Sequence, residues 1–414
     1  MLAEGVLAWS VLSLVLPRRL NTFTMTPSLP SVRISRKGAN RLRSGHPWVF
    51  AGDLLDEKQA APGDVVQVLD ERNRSLGVAH YSAASQIRLR LLSGRLEEVD
   101  AAFLRRRIEA AAHYRSTVVT GTDAYRLVYS EADRLPGLIV DRYGDCLVMQ
   151  TLDQGMDRIR NELAGLLEEI TRASNVVLRN DVAVRKKEGL VLERAVLKGE
   201  VPERVPVRMN GIAMHADLLG GQKTGIYLDQ RENHAAAASY AGGRALDCFT
   251  STGGFALHLA QRCESVLAVD SSGEALAAAK GNAEANGLRN VEFREADVFD
   301  FLSAQVLAGR DYSTIVLDPP AFAKTRGALT GAARGYKEIN YRALRLLRPG
   351  GILITCSCSH HFSEAAFLEV LAAASLDAGC TIRILERRTQ ARDHPILLTV
   401  PETHYLKCLI LQVL

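Results

Sequence analysis

At 414 residues, 47% hydrophobic and 24% charged, the chain exceeds one ordinary domain and carries enough apolar content for two or three well-formed cores. Its seven cysteines are an odd number dispersed along the sequence, which excludes a disulfide framework and suits a reducing cytoplasm. The apolar stretch at residues 6–16 is too short to span a bilayer and no positive residue precedes it, so no membrane segment is expected.

The net charge of +4 is unevenly spread. Between residues 31 and 95 eleven Lys and Arg face six Asp and Glu, whereas the remainder of the chain is close to neutral. Such a basic N-terminal portion suits docking on a polyanion; the plainer reading is a cluster of surface arginines. Residues 1–30 are expected to be a disordered extension, with Met25 as the native start. Residues 31–95 are rich in β-branched and aromatic residues broken by turn signals such as Pro62-Gly63-Asp64, which predicts a small β domain. Arg33, Arg36, Lys37, Arg41 and Arg43 offer phosphate contacts, and Trp48 and Phe50 either stack on bases or fill the core. The runs VRISRKGANRLRSGHPWVF and PGDVVQVLDERNRSLGVAHYS resemble a PUA-type RNA-binding module joined to a methyltransferase. That resemblance implies a small β-barrel in which the first run is a basic strand.

Residues 96–204 predict a second, small α/β domain: a helix at 99–116, strands between 125 and 150, a helix at 156–170 and a strand at 175–179. The segment DVAVRKKEG, residues 181–189, is similar to a motif of the same methyltransferases. Its Arg185, Lys186 and Lys187 either touch RNA or form a solvated turn.

Residues 205–414 alternate short apolar runs with segments of helical periodicity. Strands are expected at 245–247, 266–270, 291–294, 314–317, 351–355, 382–387 and 405–413, and helices at 255–261, 275–285, 336–347 and 365–378. This pattern predicts an α/β, doubly wound Rossmann-like sheet, which binds ligands beyond the carboxyl ends of its strands. Asp247, Asp270, Asp297, Asp318 and the run Cys356-Ser357-Cys358-Ser359 all fall at or just past such an end.

The stretch ALDCFTSTGGFALHLA, residues 245–260, reads as strand, glycine turn and helix. Gly253 and Gly254 let backbone approach a ligand closely, and Asp270 ends the next strand, where nucleotide-type folds hold ribose hydroxyls. The turn lacks G-x-G-x-x-G, so it suits an adenosine ligand without a pyrophosphate, S-adenosylmethionine being the obvious one; an α/β turn that binds nothing is the alternative. Upstream, LLGGQKTGIYLDQR carries Asp217 and Gln222 where a phosphate loop needs glycines, which rules out a nucleoside triphosphate site.

Asp318-Pro319-Pro320 makes a stiff loop at one strand end and Cys356 to Ser359 follow the next strand, so a carboxylate and a thiol are expected to meet across one cleft. Carbon 5 of a pyrimidine is a poor nucleophile; a thiolate adding at carbon 6 activates it and later leaves, a task suited to cysteine. Asp318, protonated or sharing a proton, would stabilise charge developing at N3 and O2 of the ring. His360 and His361 beside two cysteines crowd four ligand types into six residues with no second pair, and no metal is expected.

Taken together, the N-terminal module, DVAVRKKEG, KTGIYLDQR, CFTSTGGFA, LDPPAFAK, TCSCS and the late ARDHP and PETHYLK resemble the bacterial 23S ribosomal RNA (cytosine-5) methyltransferase family. The resemblance runs from about residue 31 to the C-terminus. It implies methylation, with S-adenosylmethionine, of a cytosine flipped out of ribosomal RNA, with Cys358 matching the nucleophile of Ser-Cys-Ser and Cys356 as the second choice. It also implies cofactor contacts from Tyr227, Asp229, Gln230, Arg231 and Asp247, with Phe249, Thr252, Gly253, Gly254 and Phe255 at the methionine end. Asp270 would hold the ribose, Asp297 the adenine amino group, and Asp318 and Pro319 the cleft side. Two rivals stay open: an enzyme methylating an exocyclic amine through the Asp-Pro-Pro turn, and a non-catalytic RNA-binding assembly factor. The cytosine modified and the oligomeric state, a homodimer included, are not specified by the residues.

Overall fold

The computed structural model describes residues 29–221, 225–309, 311–323 and 326–414. The expected start at Met25 lies outside these residues, as do Gln222, Lys223, Thr224 and Lys324 of the quoted motifs.

The N-terminal portion is a six-stranded sheet in the order Trp48–Phe50, Ile87–Ser93, Ser75–Tyr81, Val65–Leu69, Ser31–Ile34, Leu54–Asp56. Val32, Ile34, Val49, Val66, Val68, Ala79 and Leu89 fill its core. The basic run expected as a strand divides in two. Ser31–Ile34 is a strand, but the Ser35 hydroxyl accepts from the Gly38 amide and caps a helix, Arg36–Arg43. A serine oxygen satisfies an amide that the first helical turn would leave unpaired, so the basic residues after Arg33 stand on a helix. Arg41 and Arg43 pair with Asp53 and Asp70 at 2.5 and 2.8 Å. Arg36 and Lys37 are exposed and, among the described residues, form no ion pair. Trp48 is half-buried; its indole N–H donates to Glu131 Oε1 at 2.8 Å, and its ring meets His46 and Phe50 edge-on.

A five-stranded sheet follows, ordered Arg194–Lys198, Asn175–Arg179, Cys146–Thr151, Leu138–Tyr143, Ala124–Tyr129, with helices Ala101–Val118 and Arg160–Thr171 packed on it. The helix expected at 156–170 is split, because Asp153 caps a first short helix, Gln154–Arg158, before the chain restarts at Arg160. Arg185, expected as an RNA contact or a solvated residue, is neither. It is fully buried and donates to Thr151 Oγ1 at 3.2 Å, Asp157 Oδ1 at 2.8 Å and Val191 O at 3.0 Å. Lys186 and Lys187 beside it are exposed.

After the hairpin Val205–Met209 and Ile212–Ala216 comes the seven-stranded sheet. Its strands are β1 (Arg244–Cys248), β2 (Ser265–Asp270), β3 (Val291–Glu295), β4 (Tyr312–Leu317), β5 (Leu347–Ser357), β6 (Ile382–Arg388) and β7 (Lys407–Val413). Its helices are α1 (Arg231–Tyr240), α2 (Gly254–Ala260), α3 (Gly273–Ala285), α4 (Val298–Leu307), α5 (Leu329–Leu346) and α6 (Glu364–Ala378). The order is β3-β2-β1-β4-β5-β7-β6, with β7 antiparallel to both its neighbours and the other adjacent pairs parallel. Every residue of β4 is buried, as expected of a parallel strand covered on both faces. Helices α4, α5 and α6 cover one face, and α1 and α2 the other. This is the doubly wound α/β fold expected, and the order reverses between β1 and β4, where such sheets open a crevice. Among the described residues no helix is long and apolar enough to cross a membrane, and no group of three or more His, Cys, Asp or Glu side chains is placed to hold a metal ion.

Candidate active site

β1 ends in Asp247 and Cys248, and the turn beyond it adopts an uncommon backbone. Phe249, Ser251 and Gly253 have φ of 65°, 49° and 91°; two non-glycine residues in the left-handed region mark a locally strained loop, a feature that gathers at functional sites. Asp247 lies fully buried beneath it, its Oδ2 accepting from Thr250 Oγ1 at 2.6 Å and from the Ala256 amide at 2.9 Å. These bonds tie the turn to the start of α2. Its Oδ1 is buried with no hydrogen-bond partner among the described residues. Burial, opposed by the Thr250 hydroxyl and reinforced by Asp318 and Asp270, pushes the Asp247 pKa up to about 7. Asp270 accepts from the amides of Ser251 at 2.9 Å and Ser272 at 3.0 Å and so splints the turn from the tip of β2.

Gly254 is required by its neighbour: a Cβ there would stand 2.5 Å from Cε1 of His234 on α1. Phe255 corrects an expectation. It is buried with its ring edge-on to His234, 4.5 Å between centroids, because the second residue of α2 turns toward α1 and into the core. Asp297 is exposed and accepts from the amides of Phe299 and Asp300 through Oδ1, which makes it the cap of α4.

The Tyr227 to Arg231 run divides by depth. Tyr227 is half-buried at a cavity wall. Asp229 is buried and accepts from the Tyr405 hydroxyl at 2.6 Å. Gln230 donates to Asp318 Oδ1 at 2.9 Å and is itself held by Asn233 at 2.7 Å. Arg231, expected at the cofactor, is instead wholly buried with Nη2 3.2 Å from Asp393 Oδ1. Asp393 also accepts from the Arg126 amide through Oδ2 at 2.9 Å, and its carbonyl accepts from Arg115 at 2.8 Å, so the ARDHP segment is locked to the five-stranded domain. Burial pushes the Asp393 carboxyl up, but the neighbouring His394 ring and the Arg231 guanidinium together hold it well below the usual range.

The tips of β4 and β5 lie side by side, with Leu317 paired to Thr355. Cys358 is partly exposed just past the end of β5 and its Sγ lies 3.8 Å from the Pro319 carbonyl oxygen, on the Asp-Pro-Pro loop. The serines on either side of it face inward: Ser357 Oγ donates to Tyr336 Oη at 2.9 Å, and Ser359 Oγ lies 2.9 Å from the same oxygen while accepting from the Ala323 amide at 3.1 Å. Alternation along an extended chain then puts Cys358 on the other side, toward the loop. Tyr336 thus clamps the Ser-Cys-Ser run to the Asp318 loop, a role that no spacing in the sequence announces. Cys356 is in a different setting. It is fully buried, paired across the sheet with Cys408, and burial together with that second thiol pushes its pKa well above the usual value.

Beside the glycine turn opens a cavity of about 330 Å³, lined in part by Tyr227, Ser251, Thr252, Ser272 and Glu274. The residues at this end fit S-adenosylmethionine. The unpartnered Asp247 Oδ1 is an acceptor awaiting a cationic donor such as an ammonium, Asp270 keeps lone pairs free for hydroxyls, and Ser251 and Thr252 of the turn stand at the cavity wall.

Comparisons with known proteins agree with this architecture. A profile of PUA-like domains matches residues 32–94, and one described as a methyltransferase domain matches residues 240–397. A solved structure of a candidate SAM-dependent methyltransferase from Streptococcus mutans superposes with a TM-score of 0.79, covering 92% of this chain and 100% of its own, at 21% identity. A crystal structure of a candidate methyltransferase complexed with SAH gives the same figures; at that identity both speak for the fold. Among sequences, the ribosomal RNA large subunit methyltransferase I of Salmonella arizonae is 40% identical over 390 residues, 92% of this chain and 97% of that protein. Its namesake in Tolumonas auensis is 42% identical over 393 residues, 92% of this chain and 99% of that one. With such identity across nearly the full length of both partners, the chain belongs to the ribosomal RNA large subunit methyltransferase I family.

Proposed function

We propose that this protein methylates carbon 5 of a cytosine in large-subunit (23S) ribosomal RNA, using S-adenosylmethionine and a transient covalent bond to Cys358. The observation that carries the reading is the contrast between two cysteines two residues apart: Cys358 at the strand tip against the Asp318 loop, and Cys356 sealed in the sheet. The relatives named for large-subunit ribosomal RNA, and the PUA-like match at residues 32–94, support RNA of that class as substrate.

When bound, S-adenosylmethionine supplies an electrophilic methyl group. The chain's own residues do the rest. Asp247, Thr252, Gly253 and Asp270 hold the donor, with Tyr227 at the wall. The Cys358 thiolate adds to carbon 6, and the electron pair released makes carbon 5 nucleophilic. A proton shared between N3 and the Asp318 carboxyl, which Gln230 orients, offsets the negative charge developing at N3 and O2. Once carbon 5 carries the methyl group, loss of its proton to water returns the electron pair to the ring and expels the thiolate.

The test is trapping. Ribosomal RNA carrying 5-fluorocytidine cannot lose a proton at the substituted carbon, so enzyme and RNA should remain joined in a denaturing gel, with the link mapped to Cys358 by mass spectrometry. Absence of any adduct, with methyl transfer intact in Cys358→Ala, would favour an exocyclic amine as acceptor. Mapping of methylcytidine in ribosomal RNA from cells with and without the gene identifies the base.

A further inference from the structure

Lys407, the first residue of β7, is a buried cation that the mechanism above does not use. Because β7 runs antiparallel to β5, Lys407 stands opposite Ser357 and Cys408 opposite Cys356. The lysine therefore enters the sheet at its cleft end, level with the Ser-Cys-Ser run. Only 5% of its surface is exposed. Its Nζ donates to the carbonyls of Ser359 at 2.7 Å and Tyr405 at 2.8 Å, which occupies two of the three donors of an ammonium. Among the described residues no carboxylate forms an ion pair with it. Burial lowers its pKa to about 8, and Cys358 first, then Glu364, act in the opposite direction. The titratable groups facing it are Cys358, Glu364 and His360, and His360 is itself lowered by burial, by His361 and by Lys407. Cys358 in turn lies within electrostatic range of Tyr336 and Lys407, and its sulfur stands against the loop that carries Asp318. A buried ammonium held only by carbonyls is destabilising unless an anion compensates it.

We propose that Lys407 is the positioning cation that keeps Cys358 as a thiolate; the inference rests on the reading of Cys358 as nucleophile. In the resting protein the Sγ–H bond breaks, the proton goes to solvent and the electron pair stays on sulfur, while the Lys407 ammonium remains protonated as the counter-charge. The same cation receives the thiolate when it is expelled from carbon 6. The arrangement holds at neutral pH and fades as Lys407 loses its proton above about 8.

The experiment is the pH dependence of Cys358 alkylation by iodoacetamide in the intact protein without RNA, read by peptide mass spectrometry in wild type, Lys407→Met and Lys407→Arg. The wild-type midpoint is expected at least about one pH unit below the roughly 8.5 of a free cysteine. In Lys407→Met it should return to that value or higher, so that labelling at neutral pH falls roughly tenfold for each pH unit by which the midpoint rises; Lys407→Arg should keep the low midpoint. A wild-type midpoint at the free value overturns the proposal without any variant having to fold, and an unchanged midpoint in Lys407→Met does the same. Methyl transfer by Cys358→Ala is measured in parallel. Lost transfer alongside an ordinary wild-type midpoint overturns the role of Lys407 alone, whereas retained transfer removes the covalent reading on which the role depends.

Discussion

The strand tips of the C-terminal sheet and the helix Arg36–Arg43 of the N-terminal module both present polar side chains, and they do so in opposite ways. At the tips, Asp247, Ser357, Ser359 and Lys407 are buried and each has a fixed partner. On the module, Arg36 and Lys37 reach into solvent from a short helix. Chemistry at a reacting carbon demands angles and distances that only packed, hydrogen-bonded groups can hold. Attraction of a polyanion needs only charge within a Debye length. The two regions should therefore fail differently when altered.

The sharpest break is expected at Cys358. Cys358→Ala should lower kcat by roughly 10³-fold or more while leaving RNA affinity unchanged, and Cys356→Ala should stay within a few-fold of wild type; single-turnover methyl transfer measures both. Asp318→Asn should follow at about 10²-fold in kcat, the usual size for removing one preorganised charge-stabilising group. Tyr336→Phe leaves two buried serines short of a partner, a loss of about 1–3 kcal/mol. It should appear as a lower Tm and slower alkylation of Cys358, with RNA binding intact.

A subtler effect concerns Asp247. Its folded pKa is raised to about 7, so its contribution to stability is complete below the unfolded value near 4 and declines as pH rises toward 7. The slope is at most about 1.4 kcal/mol per pH unit. Urea midpoints of the cofactor-free protein should fall over that window and flatten in Asp247→Asn; an unchanged slope in that variant would remove the group from the account. The smallest change is expected at the module. The double variant Arg36→Ala, Lys37→Ala should weaken RNA binding several-fold and reduce the salt slope by about two, with kcat and cofactor affinity untouched. A fall in kcat there would erase the distinction between the two regions.

Much of the fold was legible because alternation and apolar runs track backbone type: the strand at Asn175–Arg179 and most strands of the seven-stranded sheet stand where periodicity put them. The exceptions have physical causes. Helix α1 buries Arg231, Asn233 and His234 with alanines, so it has no apolar stripe to betray it. Helix α4, apolar along most of its length, shows no polar face to set its period. The helix Arg36–Arg43 was masked by the β character of its flanks. At the site, Asp247, Gly253, Asp318 and Cys358 could be named from motifs, since each sits at a strand end. Tyr336 lies outside every quoted motif, and Lys407, although it ends PETHYLK, showed no role there, because their partners are brought in by helix packing and by the antiparallel register of β7. Phe255 and Arg231 show the converse, motif positions whose side chains serve the scaffold.

The junction at Asp393 has a consequence for dissection of the molecule. Its carboxylate and carbonyl collect Arg231 from one domain and Arg115 and the Arg126 amide from another, all away from water. A truncated protein beginning after the five-stranded sheet would strip those partners and leave an interior anion half-compensated. The two C-terminal thirds of the chain should therefore melt as one cooperative unit, and loss of one buried arginine should loosen a region far from its own sheet.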